Sequence, residues 1–178
     1  MGFEGFPLIV GWELTLACNL RCRHCASSAG RARSNELTVD ECLAICNQFP
    51  DLLVHDVDFT GGEPTLKPGW ERIARCLRDL RIDTRIVTNG TGLTPDTVAR
   101  MKDSGLAGVG VSLDGLEATH DHIRAVDGTF AKVVRGLELL VAAGLKPTVI
   151  TAVNALSAAE LPRMFDLGGT KRDTPTRA

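Results

Sequence analysis

The sequence predicts an α/β protein built on a parallel sheet. Short β-rich runs alternate with longer amphipathic ones, the alternation repeats five times as strand then helix, and glycine or proline marks the boundaries. "PLIVGWELTL" (7–16) reads as the first strand, and "TVDECLAICNQF" (38–49) as the first helix. Thr38 is its expected N-cap and Glu41, three residues on, completes a capping box. "VHDVDFTGG" (54–62) is a strand ending in glycines. "PGWERIARCLRDL" (68–80) is a helix with Pro68 in its first turn, where a missing N–H is tolerated. "TRIVTNG" (84–90) is the third strand. "TPDTVARMKDSG" (94–105) is a helix with Thr94 as N-cap, Pro95 at the first helical position and Gly105 as its stop. "AGVGVSLDG" (107–115), "FAKVVRGLELLVAAG" (130–144) and "KPTVITAVN" (146–154) give strand, helix and strand. The last helix is expected from Ser157, with Glu160 three residues on.

At 178 residues and 44% hydrophobic, the chain has enough apolar surface for one domain core. Its net charge of −2 and its lack of a basic block argue against nucleic acid as a partner. No apolar run approaches the ~18 residues of a membrane span, and the first residues lack the positive start and cleavage site of a secretory signal. A cytoplasmic location is therefore expected, with the six cysteines as free thiols or metal ligands rather than disulfides. "GGTKRDTPTRA" (168–178) has no apolar period and is expected to be a disordered tail behind a core of residues 1–167.

In parallel α/β folds, ligands collect at the carboxyl ends of the strands. After the first predicted strand comes "CNLRCRHC", with Cys18, Cys22 and Cys25. After the second comes "TGGEP" (60–64), after the third "TNG" (88–90), in and after the fourth "SLDG" (112–115), and after the fifth Asn154. Every strand delivers polar or glycine-rich chemistry to one rim. Cys42 and Cys46 lie four apart on a helical apolar stripe, and Cys76 sits between Ile73, Leu77 and Leu80; these three read as core residues. Cys18, Cys22 and Cys25 share no such stripe and sit among arginines in a loop. Thiolates of this kind suit zinc or an iron–sulfur cluster. Structural zinc wants four protein ligands, and His24 is the nearest further donor, but it is adjacent to Cys25.

The CxxxCxxC spacing after a first strand, "GGEP" after the second and "SLDG" followed by "THDHIRAVDGTF" together resemble the radical S-adenosylmethionine (SAM) superfamily. The resemblance covers about residues 8–167 and extends to its SPASM/twitch-type branch of peptide and cofactor maturases. It implies a (β/α) partial barrel, usually of six units, of which this chain offers five, so that the core is read as incomplete and the fifth strand as having an open edge. It also implies a 4Fe–4S cluster on Cys18, Cys22 and Cys25 that leaves one iron open to SAM. Reductive cleavage of SAM would give a 5′-deoxyadenosyl radical that abstracts a hydrogen atom from a peptide or small-molecule substrate. The electron would come from a donor such as flavodoxin or ferredoxin.

Residue by residue, the resemblance places Gly61, Gly62 and Glu63 at the methionyl amine of SAM, with the glycines admitting close backbone approach. It sets Ser112 and Asp114 on one strand face toward the ribose and methionyl region, with turn formation at Asp114–Gly115 as the plainer reading. Arg124 is assigned to the SAM carboxylate, by bidentate pairing. His24 is assigned to the neighbourhood of adenine, with a solvated loop histidine as the alternative. Asn89 is either a site residue or the maker of an Asn-Gly turn. His120 and His122 read as loop residues, and Arg21 and Arg23 as solvent-facing or cluster-polarising. Two other functions stay open: a non-catalytic iron–sulfur remnant or split-enzyme half, and a zinc-stabilised binding module.

Overall fold

A computed structural model of the chain describes residues 8–167. The expected tail, 168–178, and the first residue of the expected opening strand, Pro7, lie outside the described residues. Five strands, β1 (Leu8–Thr15), β2 (Val54–Gly61), β3 (Asp83–Thr88), β4 (Gly108–Ser112) and β5 (Pro147–Ile150), form one all-parallel sheet in sequential order. The helices are α1 (Val39–Cys46), α2 (Trp70–Asp79), α3 (Pro95–Ser104), α4 (Glu117–Arg124), α5 (Thr129–Ala142) and α6 (Leu161–Leu167). Helix α1 packs on α2, α2 on α3, α3 on α5 and α5 on α4, so the helices follow the strand order in one layer. This is the parallel α/β arrangement that the alternation predicts, and the (β/α) partial barrel that the resemblance implies. No helix among the described residues is long and apolar enough to cross a membrane.

Alternation along the strands separates the two faces. Val57 and Phe59 of β2, Ile86 of β3, and Val109 and Val111 of β4 are buried in one core with Trp70, Ile73 and Leu77 of α2 and Met101 of α3. Cys42 and Cys46 belong to this core, and burial pushes the Cys46 thiol up to about 12. Cys76 packs against it. The local signals at helix starts act as predicted. Thr38 and Glu41 form a reciprocal capping box, Thr94 accepts from the Thr97 N–H, and Gly105 ends α3 in the left-handed region.

Three expectations need correction. Pro68 lies in a turn before α2, whose N-cap is Gly69 with φ of 74°. Ser157 does not cap a helix: a 3₁₀ turn at Ala158–Glu160 precedes α6, and the Ser157 hydroxyl accepts from the Asn154 N–H at 3.1 Å. His120 and His122 are not loop residues but sit on α4. Glu160, expected to serve its own helix, instead caps α4: its carboxylate accepts from the Leu116 N–H and the Thr119 hydroxyl, each at 2.7 Å. A Cβ on Gly115 would meet Thr119 Cγ2 at 2.7 Å and both Thr119 Cβ and that carboxylate at 2.8 Å, so the position has no room for a side chain.

Asp121 of α4 fixes the next helix, accepting from Gly128 N–H (2.6 Å), Thr129 Oγ1–H (2.6 Å) and Phe130 N–H (2.7 Å) at the start of α5. Burial raises this carboxyl, but the three hydrogen bonds outweigh it and hold the group below its ordinary value. A carboxyl depressed in the folded state adds stability that is present above its unfolded value of ~3.9 and is lost as pH falls through its folded value. Asp121→Ala should therefore lower stability by about 1–2 kcal/mol at neutral pH. Its urea-unfolding stability should also decline less steeply than the parent's as pH falls below ~4.

Candidate active site at the strand carboxyl ends

The cysteine loop is closed at its base by two sets of contacts. Gly30 N–H donates to Leu16 O (2.8 Å) and Cys18 N–H to Gly30 O (3.2 Å). Glu36 Oε1 accepts from Thr15 Oγ1–H (3.0 Å), Leu16 N–H (2.8 Å) and Arg33 N–H (3.0 Å). Arg21 donates to Cys18 O and Leu20 O, both at 2.8 Å, so its guanidinium shapes the loop from within. Arg23 reaches α4: its N–H donates to Ile123 O and its Nε–H to His122 O, each at 2.9 Å. The carbonyls at the C-terminal end of α4 thus hold the loop between Cys22 and Cys25, where a cation is favoured.

The GGEP segment docks on this loop from the other side. Gly62 N–H donates to Thr15 O and Glu63 N–H to Ala17 O, both at 2.8 Å. A Cβ on Gly61, whose φ is 130°, would lie 2.2 Å from Thr15 O, and one on Gly62 would lie 2.3 Å from Ala17 O. The two glycines are therefore required first by the approach of β1's own backbone. Glu63 is 2% exposed, and its carboxylate accepts from Thr65 N–H (3.3 Å), Thr65 Oγ1–H (2.6 Å), Thr88 Oγ1–H (2.9 Å) and Asn89 N–H (2.8 Å). Burial pushes this carboxyl up, against the opposing pull of those donors.

One cavity of about 220 Å³ opens at this rim. Cys18, Cys22, Cys25 and His24 line it from the loop, Gly61 and Gly62 from the exit of β2, Asn89 from just after β3, Ser112 from β4 and Arg124 from α4. Glu63 and Asp114 do not line it and act from beneath. Asp114 is 1% exposed; its Oδ1 accepts from Ala152 N–H at 3.0 Å, and its Oδ2 pairs with Arg124 Nη2 at 2.7 Å and His24 Nε2 at 3.3 Å. Neither of those Oδ2 contacts is a directed hydrogen bond, and the Arg124 contact is an ion-pair approach. Arg124 Nη1 also lies 3.8 Å from Cys22 Sγ. His120, fully buried, accepts the Asp114 N–H on Nδ1 at 3.1 Å. Burial, followed by the Arg124 charge, lowers His120 to about 4, so the ring is neutral and able to accept.

The structure thus brings the sequence-predicted residues to one rim, nine of them lining the cavity and two beneath it. Thr60 and Thr88, which the sequence places in the rim motifs without a role of their own, also line it; the clamp formed by α4 and Arg23 was not foreseen. The α4 signal was present as Thr119, His120, Ile123 and Arg124, a helical i, i+1, i+4, i+5 pattern whose inward residues are largely polar.

All six cysteines are free, and the three in the loop are partly exposed on the cavity wall. Among the described residues, no three His, Cys, Asp or Glu side chains converge closely enough to hold a single metal ion. A zinc site needs that convergence. Three thiols spaced around a cavity instead fit separate irons of one multi-iron cluster. The sequence profile of the Radical SAM superfamily matches residues 12–167, and the chain belongs to that superfamily, whose enzymes use a 4Fe–4S cluster and SAM. It is 34% identical over 163 residues to an AdoMet-dependent heme synthase of Methanosarcina barkeri, covering 90% of this chain and 47% of the relative. It is 37% identical over 148 residues to the mycofactocin maturase MftC of Mycobacterium ulcerans, covering 83% and 40%. Its fold matches Streptococcus suis SuiB bound to S-adenosylmethionine, with a TM-score of 0.80 at 23% identity over 91% of this chain and 38% of that one. Against anSMEcpe with bound AdoMet and Kp18Cys peptide the TM-score is 0.76 at 24% identity, over 92% and 48%. The chain spans under half the length of these relatives.

The packing reason for Gly62 is testable against a glycine with room to spare. A Cβ at Gly92 would meet nothing within 4 Å. Gly62→Ala should cost about 1–3 kcal/mol in a urea melt, because backbone must shift to admit the methyl group. Gly92→Ala should leave the midpoint unchanged or raise it.

Proposed function

We propose that this chain is the catalytic core of a radical SAM enzyme in which Cys18, Cys22 and Cys25 hold a 4Fe–4S cluster and the adjoining cavity holds SAM. The observation that carries the reading is the set of three free thiols lining one cavity, backed by the GGEP segment and not grouped, among the described residues, as ligands of a single ion. When bound, the cluster supplies one electron for cleavage of the sulfonium bond of SAM. What the chain's residues contribute is position and field.

Gly61 and Gly62 give SAM a wall without side chains. Glu63 sets a carboxyl beneath it, and a bound ammonium group would favour its ionised form, offsetting the burial that raises it. Arg124, 8% exposed and with a buried Nε lacking a partner, is the donor assigned to the SAM carboxylate; Asp114 and Cys22 hold it meanwhile. Ser112 and Asn89 are assigned to the polar part of the ligand, and His24, steadied by Asp114, to the adenine side.

The substrate class we assign is a peptide or a cofactor precursor. The names of the relatives, a mycofactocin maturase and a heme synthase, support it, as does the SuiB structure bound to precursor peptide SuiA. The reductant we assign is a small acidic carrier such as flavodoxin or ferredoxin, facing the exposed Arg21, Arg23 and Arg31 of the cysteine loop. A reducing, cytoplasmic setting goes with this, and six free thiols support it.

Anaerobic reconstitution should give a brown protein with iron and sulfide near four each per chain. Alanine at any one of Cys18, Cys22 or Cys25 should abolish it, whereas Cys42→Ala in the core should not. Stoichiometric zinc in a colourless protein under those conditions would refute the reading. Glu63→Gln should retain the cluster and weaken the SAM-induced change in its reduced electron paramagnetic resonance spectrum by about tenfold or more in affinity, as expected for losing a charged partner of about 1.5–3 kcal/mol. An unaltered response would remove Glu63 from the SAM site.

A further inference from the structure

The carboxamide of Asn89 stands between the end of β3 and the first cysteine of the loop, and the residue is 7% exposed. Its orientation is fixed by a donor of unambiguous identity. The Thr91 backbone N–H donates to Asn89 Oδ1 at 3.0 Å, and the Thr91 hydroxyl joins it at 2.7 Å. The main chain is fixed as well, because Asn89 N–H donates to the buried Glu63 carboxylate at 2.8 Å. Nδ2 therefore faces the cysteine loop. There it donates to Asn19 Oδ1 at 2.8 Å and lies 3.9 Å from Cys18 Sγ. Asn19 Nδ2 donates in turn to Thr91 Oγ1 at 2.8 Å, closing a ring of three side chains.

Turn formation at Asn89–Gly90 uses only Oδ1, as acceptor for the residue two places on. Nδ2 and its two hydrogens are surplus to the turn. Asn19 takes one, and the sulfur of Cys18 is the partner left for the other. Cys18 Sγ also receives the Leu20 N–H at 3.4 Å, as Cys25 Sγ receives the Ala29 N–H at 3.4 Å. What distinguishes Cys18 is a neutral side-chain donor built in from the segment that follows β3.

We propose that Asn89 is a positioning residue for the Cys18 thiolate: its Nδ2–H holds the sulfur as a cluster ligand and stabilises the charge added on one-electron reduction, with Glu63, Asn19 and Thr91 fixing the donor in place. This rests on the reading of Cys18, Cys22 and Cys25 as cluster ligands. A hydrogen bond to an ionised sulfur is stronger than one to a thiol, and hydrogen bonds to cluster sulfurs are among the levers that set reduction potential.

The test is a redox titration of the reconstituted full chain, monitored by electron paramagnetic resonance, with iron and sulfide measured for each sample. Asn89→Asp keeps the acceptor toward Thr91 and removes the donor toward sulfur; Asn89→Ala removes both. Both variants should load iron and titrate at a more negative midpoint than the parent, Asp further than Ala because it adds negative charge. Loaded variants titrating at the parent's midpoint would overturn the proposal. A parent that takes up no cluster would instead overturn the underlying ligand assignment, and the proposal with it. Should the Asn89 variants fail to fold, Asn19→Ala and Thr91→Val carry the test, since each loosens the carboxamide from outside. A smaller shift in the same direction in both supports the proposal, and an unchanged midpoint in both overturns it.

Discussion

The rim of this protein depends on a buried carboxylate. Glu63 leaves β2 and drops beneath the sheet's end, where Thr65, Thr88 and Asn89 supply its hydrogen bonds. Its own N–H and that of Gly62 meanwhile bond to Ala17 O and Thr15 O at the exit of β1. Three strand exits are thereby tied through consecutive residues. A carboxylate 2% exposed without partners would be strongly destabilising; with several donors it becomes a specific junction. The sheet's parallel order makes this possible, because it puts every strand's carboxyl end on the same side.

A second junction completes the rim from the far side. Asp114 joins the end of β4 to Ala152 after β5, to His24 in the cysteine loop and to Arg124 at the end of α4. Glu160 caps the start of α4, and Asp121 holds α4 to α5. The α4 carbonyls then receive Arg23. The cysteine loop, which buries Leu20 and Ala29, is consequently also held between two carboxylate-centred networks, with Glu36 closing its base. Such networks are high-stakes: fully satisfied they fix geometry, and losing one partner leaves the others buried and unpaired. That suits the role proposed for this loop, fixing three sulfurs around a shared ligand.

Much of this was legible in the sequence because it is local. The capping box at Thr38, the Thr94–Pro95 start and the Gly105 stop are written in adjacent residues, and the structure reproduces them. The rim was legible because strand-then-helix alternation puts every post-strand motif on one side. What escaped was non-local. Helix α4 hides its period because its buried positions include His120 and Arg124, polar residues that find partners only in the fold. Ser157 and Glu160 have the spacing of a capping box, yet Glu160 is claimed by Leu116 and Thr119, more than forty residues earlier. The glycines of GGEP were expected to admit a ligand; their nearest constraint is the β1 backbone, a contact no local pattern encodes.

For a rim proposed to pass an electron to SAM, the most direct measurement is product analysis. The anaerobically reconstituted chain, given SAM and dithionite, should release 5′-deoxyadenosine and methionine in equal amounts. Alanine at Cys18, Cys22 or Cys25 should abolish that release. A chain loaded with its full iron and sulfide and binding SAM, yet yielding no 5′-deoxyadenosine above the cysteine variants, would contradict the account.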